Sequence, residues 1–103
     1  MGVPLNRESL VERLVDARHE QHLSIRRAAS LAKVPASTAQ GWFEGRHLPT
    51  PALMPNFLTL LEELGLVSDD VERDEWQRAV TLMRTNVIIE ESPYVGLRSY
   101  EPA

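Results

Sequence analysis

The sequence predicts an all-α fold of five helices followed by an irregular C-terminal tail. Apolar residues recur at spacings of three and four along most of the chain, which is the period of a helix with one buried face. Residues that cap or break helices separate these segments. The chain has 103 residues, 43% of them hydrophobic, and this is the size of one small globular domain.

The first two helices are predicted from their caps and their apolar faces. Asn6 can cap a helix that ends near Gln21, and Ser24 can cap the second helix. The inner face of the first helix holds Leu10, Leu14 and Ala17, with Val11 beside them. The inner face of the second holds Ile25, Ala28, Ala29 and Ala32. Because these alanines are small, another helix can approach the second one closely.

A third helix is predicted to begin near Pro35 and to end at Gly45. Proline disfavours helical geometry at the residue before it and suits the first turn of a new helix, so Lys33-Val34-Pro35 separates two helices. Glycine is a frequent residue just after a helix. We expect three positions to pack inward, namely Val34, either Thr38 or Ala39, and Trp42. Phe43 and Leu31 either complete this packing or form a partner surface.

The fourth and fifth helices complete the fold. Thr50-Pro51 predicts the start of the fourth helix and Gly65 its end, with an inner stripe of Leu53, Phe57, Leu60, Leu61 and Leu64. We expect Ser68 to cap the fifth helix. Its apolar face holds Trp76, Val80 and Met83, with Val87 as an extension. The acidic residues Asp69, Asp70, Glu72, Asp74 and Glu75 suit a solvated helix start, where the helix dipole favours negative charge.

The segment from Leu23 to Gly45 resembles the lambda-repressor-like helix-turn-helix of the xenobiotic-response-element family of bacterial regulators. Ala28-Ala29, Val34 and Ser37-Thr38 match the packing and phosphate-facing positions of that family. Residues 42–49, WFEGRHLP, are similar to a recurrent ending of the second helix in actinobacterial members. The resemblance implies a five-helix lambda-repressor-like bundle over residues 6–86, with the helix-turn-helix at about 24–45.

The resemblance also implies a site that reads double-stranded DNA. The helix from Pro35 to Glu44 would enter the major groove while the preceding helix crosses the backbone. The expected base-facing residues are Ala36, Ser37, Gln40 and Gly41, of which Gln40 alone has long polar reach. The expected phosphate-facing residues are Ser24, Arg26, Arg27, Lys33, Thr38, Arg46 and His47. Such modules often pair two copies on a palindromic site, so a homodimer or larger assembly is expected.

The charge distribution agrees with a local site for nucleic acid rather than with indiscriminate binding. The net charge is −4, yet residues 1–65 balance seven basic against seven acidic residues, and the deficit lies beyond Gly65. Between Arg18 and His47, five basic residues oppose Glu20 and Glu44, which leaves +3 and three histidines. This is a moderate basic footprint.

The segment 92–102, SPYVGLRSYEP, resembles the entry segment of STAND-type signalling NTPases. The resemblance implies that residues 87–103 are a linker or tail that leads to an NTPase domain in a longer protein. The chain contains no G-x-x-x-x-G-K-[ST] motif to hold a phosphate, so we expect no ATP hydrolysis from these residues.

Other classes of function have little support in the sequence. The chain has no cysteine, no signal peptide and no apolar run of about 20 residues, which favours a cytoplasmic protein without membrane contact. His19 and His22 lack a clear third metal ligand, and no motif organises a nucleophile, so we expect no metal, no cofactor and no enzyme activity. Two functions remain open. One is a DNA-binding module, and the other is a protein-interaction or autoinhibitory module of a signalling NTPase with little DNA binding.

Overall fold

The computed structural model describes the backbone of residues 2–91 and the side chains of residues 2–85. Across residues 2–91 the chain is all-helical, which confirms the predicted fold class. The five α-helices are α1 (Arg7–Glu20), α2 (Ile25–Ala32), α3 (Ala36–Glu44), α4 (Met54–Glu63) and α5 (Asp70–Glu91). The stretch 92–102, which resembles the NTPase entry segment, lies outside the described residues.

The predicted caps of α1 and α2 are confirmed. The Asn6 side chain accepts a hydrogen bond from the Ser9 N–H at 2.8 Å, and the Ser24 hydroxyl accepts one from the Arg27 N–H at 3.0 Å. Each bond satisfies a backbone donor that the first turn of a helix leaves free. At the other end of α2, Lys33 adopts a left-handed conformation with φ 62°, which turns the chain toward α3.

Helix α4 begins three residues later than the sequence predicts. Thr50 caps a short 3-10 turn over Pro51–Leu53, accepting from the Leu53 N–H at 3.3 Å, and the α-helix begins only at Met54. The cause is a second proline at position 55, which has no N–H to donate to the Pro51 carbonyl. A continuous α-helix from Pro51 would lack that bond, so the first turn tightens instead.

The cap of α5 is Asp69 rather than the expected Ser68. An oxygen of the Asp69 carboxylate accepts from the Glu72 N–H at 2.8 Å. Glu72 in turn accepts from both the N–H and the hydroxyl of Ser68, each at 2.8 Å. Side chain and backbone thus satisfy each other reciprocally, as in a capping box shifted by one residue. Asp69 and Glu72 thus serve local structure at this helix start.

The backbone of α5 stays helical to Glu91, five residues beyond the point where the apolar periodicity stops. Residues 87–91 contain no proline or glycine, so each of them extends an existing helix and gains one hydrogen bond. The predicted boundary between domain and tail at residue 86 therefore falls inside a helix. Val87, the expected extension of the apolar face, lies beyond the side chains that the structure describes.

The five helices share one buried core, and Trp42 and Phe57 lie at the contact between α3 and α4. Their rings meet edge to face at a centroid distance of 5.1 Å, a favourable aromatic geometry. The predicted inward residues of α1, α4 and α5 are buried, except that Leu53 is half-buried and Val11 lies at the edge. Of the two alternatives Thr38 and Ala39, Ala39 is buried and Thr38 is half-buried.

Phe43 is not available as a partner surface. Its side chain is 3% exposed, and the Arg18 guanidinium lies 5.2 Å from the centre of its ring. Phe43 therefore completes packing between helices. Leu31 is half-buried. Among the helices of residues 2–91, none has the length and apolar character required to cross a membrane.

Candidate nucleic-acid interface

Helix α3 presents a polar stripe on the side opposite the core. Ala39, Trp42 and Phe43 are buried against the neighbouring helices, which fixes the rotation of α3 about its axis. With this rotation the exposed positions are Ala36, Ser37, Gln40 and Glu44. These positions follow the helical repeat, so their side chains lie on one face. The face offers methyl, hydroxyl, amide and carboxylate groups.

Helix α2 packs directly against α3 and contributes cationic side chains. Arg26 and Arg27 lie in its first turn and are exposed, and Lys33 is exposed just after its last turn. None of the three forms an ion pair within the part of the chain that the structure describes. The charge of these groups is therefore available to a ligand.

The predicted site residues reach the surface with two exceptions. Thr38 is half-buried and Gly41 is buried, whereas the following are exposed: Ser24, Arg26, Arg27, Lys33, Ala36, Ser37, Gln40, Arg46 and His47. The Ser24 oxygen is already occupied as the cap of α2, although its hydroxyl hydrogen remains able to donate.

Gly41 is covered by the imidazole of His47. A Cβ atom placed on Gly41 would lie 2.0 Å from the His47 Nε2 atom, a distance that excludes a side chain while the ring stays there. The absence of a side chain at position 41 thus lets the loop after α3 fold back over the helix. His47, in contrast to Gly41, is in a position to meet a ligand directly.

Glu44, which no sequence motif marked as a site residue, contacts both Gln40 and Arg46. The Gln40 Nε2 atom donates to Glu44 Oε2 at 2.9 Å, and Arg46 Nε lies 2.8 Å from Glu44 Oε1. The hydrogen bond from Gln40 and the charge of Arg46 lower the pKa of the Glu44 carboxyl below its usual value, while desolvation acts in the opposite direction. The separation of four residues between Gln40 and Glu44 was a usable signal, because such pairs are neighbours on a helix.

Helix α1 holds the ends of the two interface helices in place through arginines. Arg7 Nη1 donates to the Gly45 carbonyl at 3.0 Å, and Arg18 Nη1 donates to the Leu23 carbonyl at 2.9 Å. Both bonds occupy carbonyl groups in loops beside α2 and α3. Arg18 was counted in the basic footprint, but these contacts with Leu23 and Phe43 give it a structural task.

A further bond positions α2 against α4. Asn56 Nδ2 donates to the Ala32 carbonyl at 2.8 Å, at the last residue of α2. The carbonyls of a last helical turn have no partner within the helix, so Asn56 satisfies one of them. No local pattern predicts this contact, because the two residues are 24 positions apart. His19 and His22 belong to no group of three metal-ligating side chains among the described residues.

Models of known protein families, curated proteins and solved structures were compared with the chain, and none of them matched.

Proposed function

We propose that the chain is a DNA-binding module in which α2 and α3 act as a helix-turn-helix of the lambda-repressor-like class. One observation carries the proposal: the outward face of α3 is polar, and α3 packs against α2, whose cations have no ion-pair partner among the described residues. The connection between the two helices has only three residues, Lys33 to Pro35. A short connection of this kind is typical of the motif.

In the proposed complex α3 lies in the major groove with its N-terminal turn toward the bases. Ala36 offers a methyl group to a thymine methyl, Ser37 offers one hydrogen bond, and Gln40 offers an amide to an adenine. Gly41 contributes no side chain, and its surface is replaced by His47. Base recognition therefore depends on few contacts, and Gln40 is the strongest of them.

Phosphate contacts supply most of the affinity in this proposal. Arg26 and Arg27 lie at the start of α2, where they can face the DNA backbone, and Lys33 follows at its other end. Ser24, Thr38, Arg46 and His47 add polar contacts. Contacts of this type fix the position of a protein on DNA and are sensitive to salt, whereas they carry little sequence information.

Within this proposal the chain is either a stand-alone transcription regulator or the DNA-targeting part of a larger cytoplasmic signalling NTPase. It acts without enzyme activity or cofactor of its own. One domain alone binds DNA weakly in this proposal. Two copies on a two-fold symmetric site double the number of phosphate contacts and so raise the affinity.

The second candidate is a protein-interaction or autoinhibitory module. The observation that favours it is the shortness of the side chains at Ala36 and Ser37, together with the burial of Gly41. A helix that reads DNA usually carries longer donors and acceptors at such positions. The two candidates differ in one measurable property, which is salt-sensitive binding to duplex DNA.

The test is a fluorescence-anisotropy titration against a pool of random duplexes and the upstream region of the chain's own gene, at low and near-physiological salt. We expect saturable binding that weakens steeply with salt. Replacing both Arg26 and Arg27 by alanine should weaken binding to every duplex and reduce the slope of log K against log salt by about 1.8. Absence of binding at low salt would favour the interaction module.

A matched control removes the same charge from another helix. Arg78→Ala with Arg84→Ala deletes two arginines of α5, and Arg78 is already paired with Asp74 at 3.3 Å. We expect this variant to bind DNA within about twofold of the original chain, because neither arginine belongs to the proposed interface. Equal losses in the two double variants would mean that net charge, not the face formed by α2 and α3, determines binding.

A further inference from the structure

The Glu44 carboxylate is fully engaged by two side chains of the proposed DNA-reading face. One oxygen accepts from the Gln40 amide at 2.9 Å, and the other meets the Arg46 Nε atom at 2.8 Å. All three residues are exposed, so these contacts lie on the surface that would meet DNA. The sequence places Gln40 and Glu44 one helical turn apart, which brings their side chains together.

This contact determines which way the Gln40 amide points. An ionised carboxylate only accepts hydrogen bonds, so the amide must turn its NH₂ group, and not its oxygen, toward Glu44. The Glu44 carboxyl is ionised at neutral pH, because its ordinary pKa of 4.5 lies well below 7 and the Gln40 hydrogen bond lowers the pKa further. One N–H of Gln40 is then used by Glu44. In the arrangement that leaves both groups for a base, Glu44 takes the N–H trans to Oε1, and the second N–H and the Oε1 atom lie side by side, as a donor next to an acceptor.

A donor beside an acceptor matches adenine in the major groove. Adenine presents an acceptor at N7 and a donor at its N6 amino group, whereas guanine presents acceptors at both N7 and O6. With its orientation fixed, the Gln40 amide would place its oxygen against guanine O6, and two acceptors repel each other. A Gln40 free to rotate could turn its NH₂ group toward guanine instead.

We propose that Glu44 is a positioning residue that fixes the Gln40 amide so that the module reads an adenine and rejects a guanine at one base pair. This inference rests on the proposed DNA-binding function. Arg46 has the complementary task, because its guanidinium balances the Glu44 charge and limits repulsion of the nearby phosphates. Glu44 itself touches no base, and it acts through Gln40.

The experiment first selects the preferred duplex of the original chain from a random pool, and then measures anisotropy with duplexes that change one base pair at a time. We expect one position at which A·T is preferred over G·C by about 5- to 150-fold, the range for one bidentate contact. Gln40→Ala should abolish the preference at that position alone. Glu44→Gln keeps the size of the side chain but no longer dictates the amide orientation, and it should remove most of the same preference.

Affinity for random duplexes separates positioning from a general loss of binding. Glu44→Gln removes a negative charge, so its affinity for random DNA should be equal to that of the original chain or higher. The double variant Gln40→Ala with Glu44→Gln should discriminate no worse than Gln40→Ala alone, because both changes act on one contact. Unfolding temperatures should agree closely among the three variants, since both side chains are exposed.

Two results would overturn the inference while leaving the proposed function intact. In the first, Glu44→Gln keeps the full preference that Gln40→Ala loses, so Gln40 reads the base without Glu44. In the second, Glu44→Gln changes the preference at another base pair, so Glu44 contacts a base directly. Failure of the original chain to bind random duplexes at low salt would instead refute the DNA-binding function itself, and this inference with it.

Discussion

Gly41 and Gly45 lie four residues apart, and the same substitution to alanine should change the stability of the protein to different extents at the two positions. Gly45 ends α3 with φ 73°, and a Cβ atom on it would lie 2.9 Å from the Val11 Cγ2 atom. A residue with a Cβ atom loses about 1–2 kcal/mol in the left-handed conformation. Alanine also reduces the conformational freedom of the unfolded chain, which stabilises the folded protein by about 0.4–1 kcal/mol. The close contact with Val11 destabilises the folded protein. We expect Gly45→Ala to lower the free energy of unfolding by about 1.5 kcal/mol.

Gly41 has ordinary helical geometry, so alanine gains about 1 kcal/mol of helix propensity there. The obstacle is the His47 ring, whose Nε2 atom would be 2.0 Å from the new Cβ atom. That ring belongs to an exposed side chain and can rotate into solvent. We therefore expect Gly41→Ala to remain within about 1 kcal/mol of the original chain, at the cost of displacing His47.

Thermal and urea unfolding, followed by circular dichroism, measures both effects. A loss of 1.5 kcal/mol corresponds to a decrease in Tm of about 6–12 °C for a domain of this size. Two controls identify the causes. Gly45→Asn should recover part of the loss, because asparagine tolerates the left-handed region. In a His47→Ala background, Gly41→Ala should increase stability by about 1 kcal/mol. The reasoning is refuted if Gly45→Ala is as stable as the original chain, or if Gly41→Ala destabilises the His47→Ala protein.

Two other predictions concern single polar contacts. Asn56→Ala removes the donor to the Ala32 carbonyl at 2.8 Å, and urea unfolding should show a loss of about 1 kcal/mol; an unchanged midpoint would contradict this role. The Glu44 pKa, measured by NMR titration of its carboxyl carbon, should lie below the usual value and rise in Gln40→Ala. Because this pKa is depressed in the folded state, the contacts of Glu44 are complete above the ordinary carboxyl pKa of 4.5 and are lost as the pH falls through the lower folded value.

The sequence predicted the parts of the fold that depend on neighbours in the chain. Asn6 and Ser24 cap their helices because a cap needs only an acceptor three residues before an N–H group. The predicted start of α4 was wrong. Thr50-Pro51 signals a helix start, but Pro55 lacks the N–H that an α-helix beginning at Pro51 would need. Local rules gave no means of weighing two prolines in succession.

Contacts between distant residues were beyond these rules. The arginines of α1 occupy carbonyls beside α2 and α3, and Arg7 and Gly45 are 38 positions apart. Nothing in the local pattern separates such an arginine from one that is free to bind phosphate. The sequence left open whether Phe43 packs inward or forms a partner surface, and the contact with Arg18, 25 positions away, helps to bury its ring. The exposure of the predicted site residues therefore followed from the sequence better than the state of each charge did.

The pairing of these basic residues limits how many phosphates the proposed face of one domain can neutralise. Of the five basic residues between Arg18 and His47, Arg18 bonds to Leu23 and Arg46 pairs with Glu44. The remaining three, Arg26, Arg27 and Lys33, predict a slope of log K against log salt of about −2.7 for one copy on duplex DNA. Arg46 adds about 0.9 to its magnitude only if it leaves Glu44 for a phosphate.

A measured slope therefore counts the copies in the complex. A value of about −2.7 to −3.6 indicates a single domain on DNA, whereas two copies on a two-fold site double it to about −5.4 or beyond. Sedimentation of the complex at the same protein concentration gives the copy number independently. If one copy is bound and the slope still exceeds about 5 in magnitude, cations outside the face formed by α2 and α3 contact the DNA, and the assignment of phosphate contacts to that face is wrong.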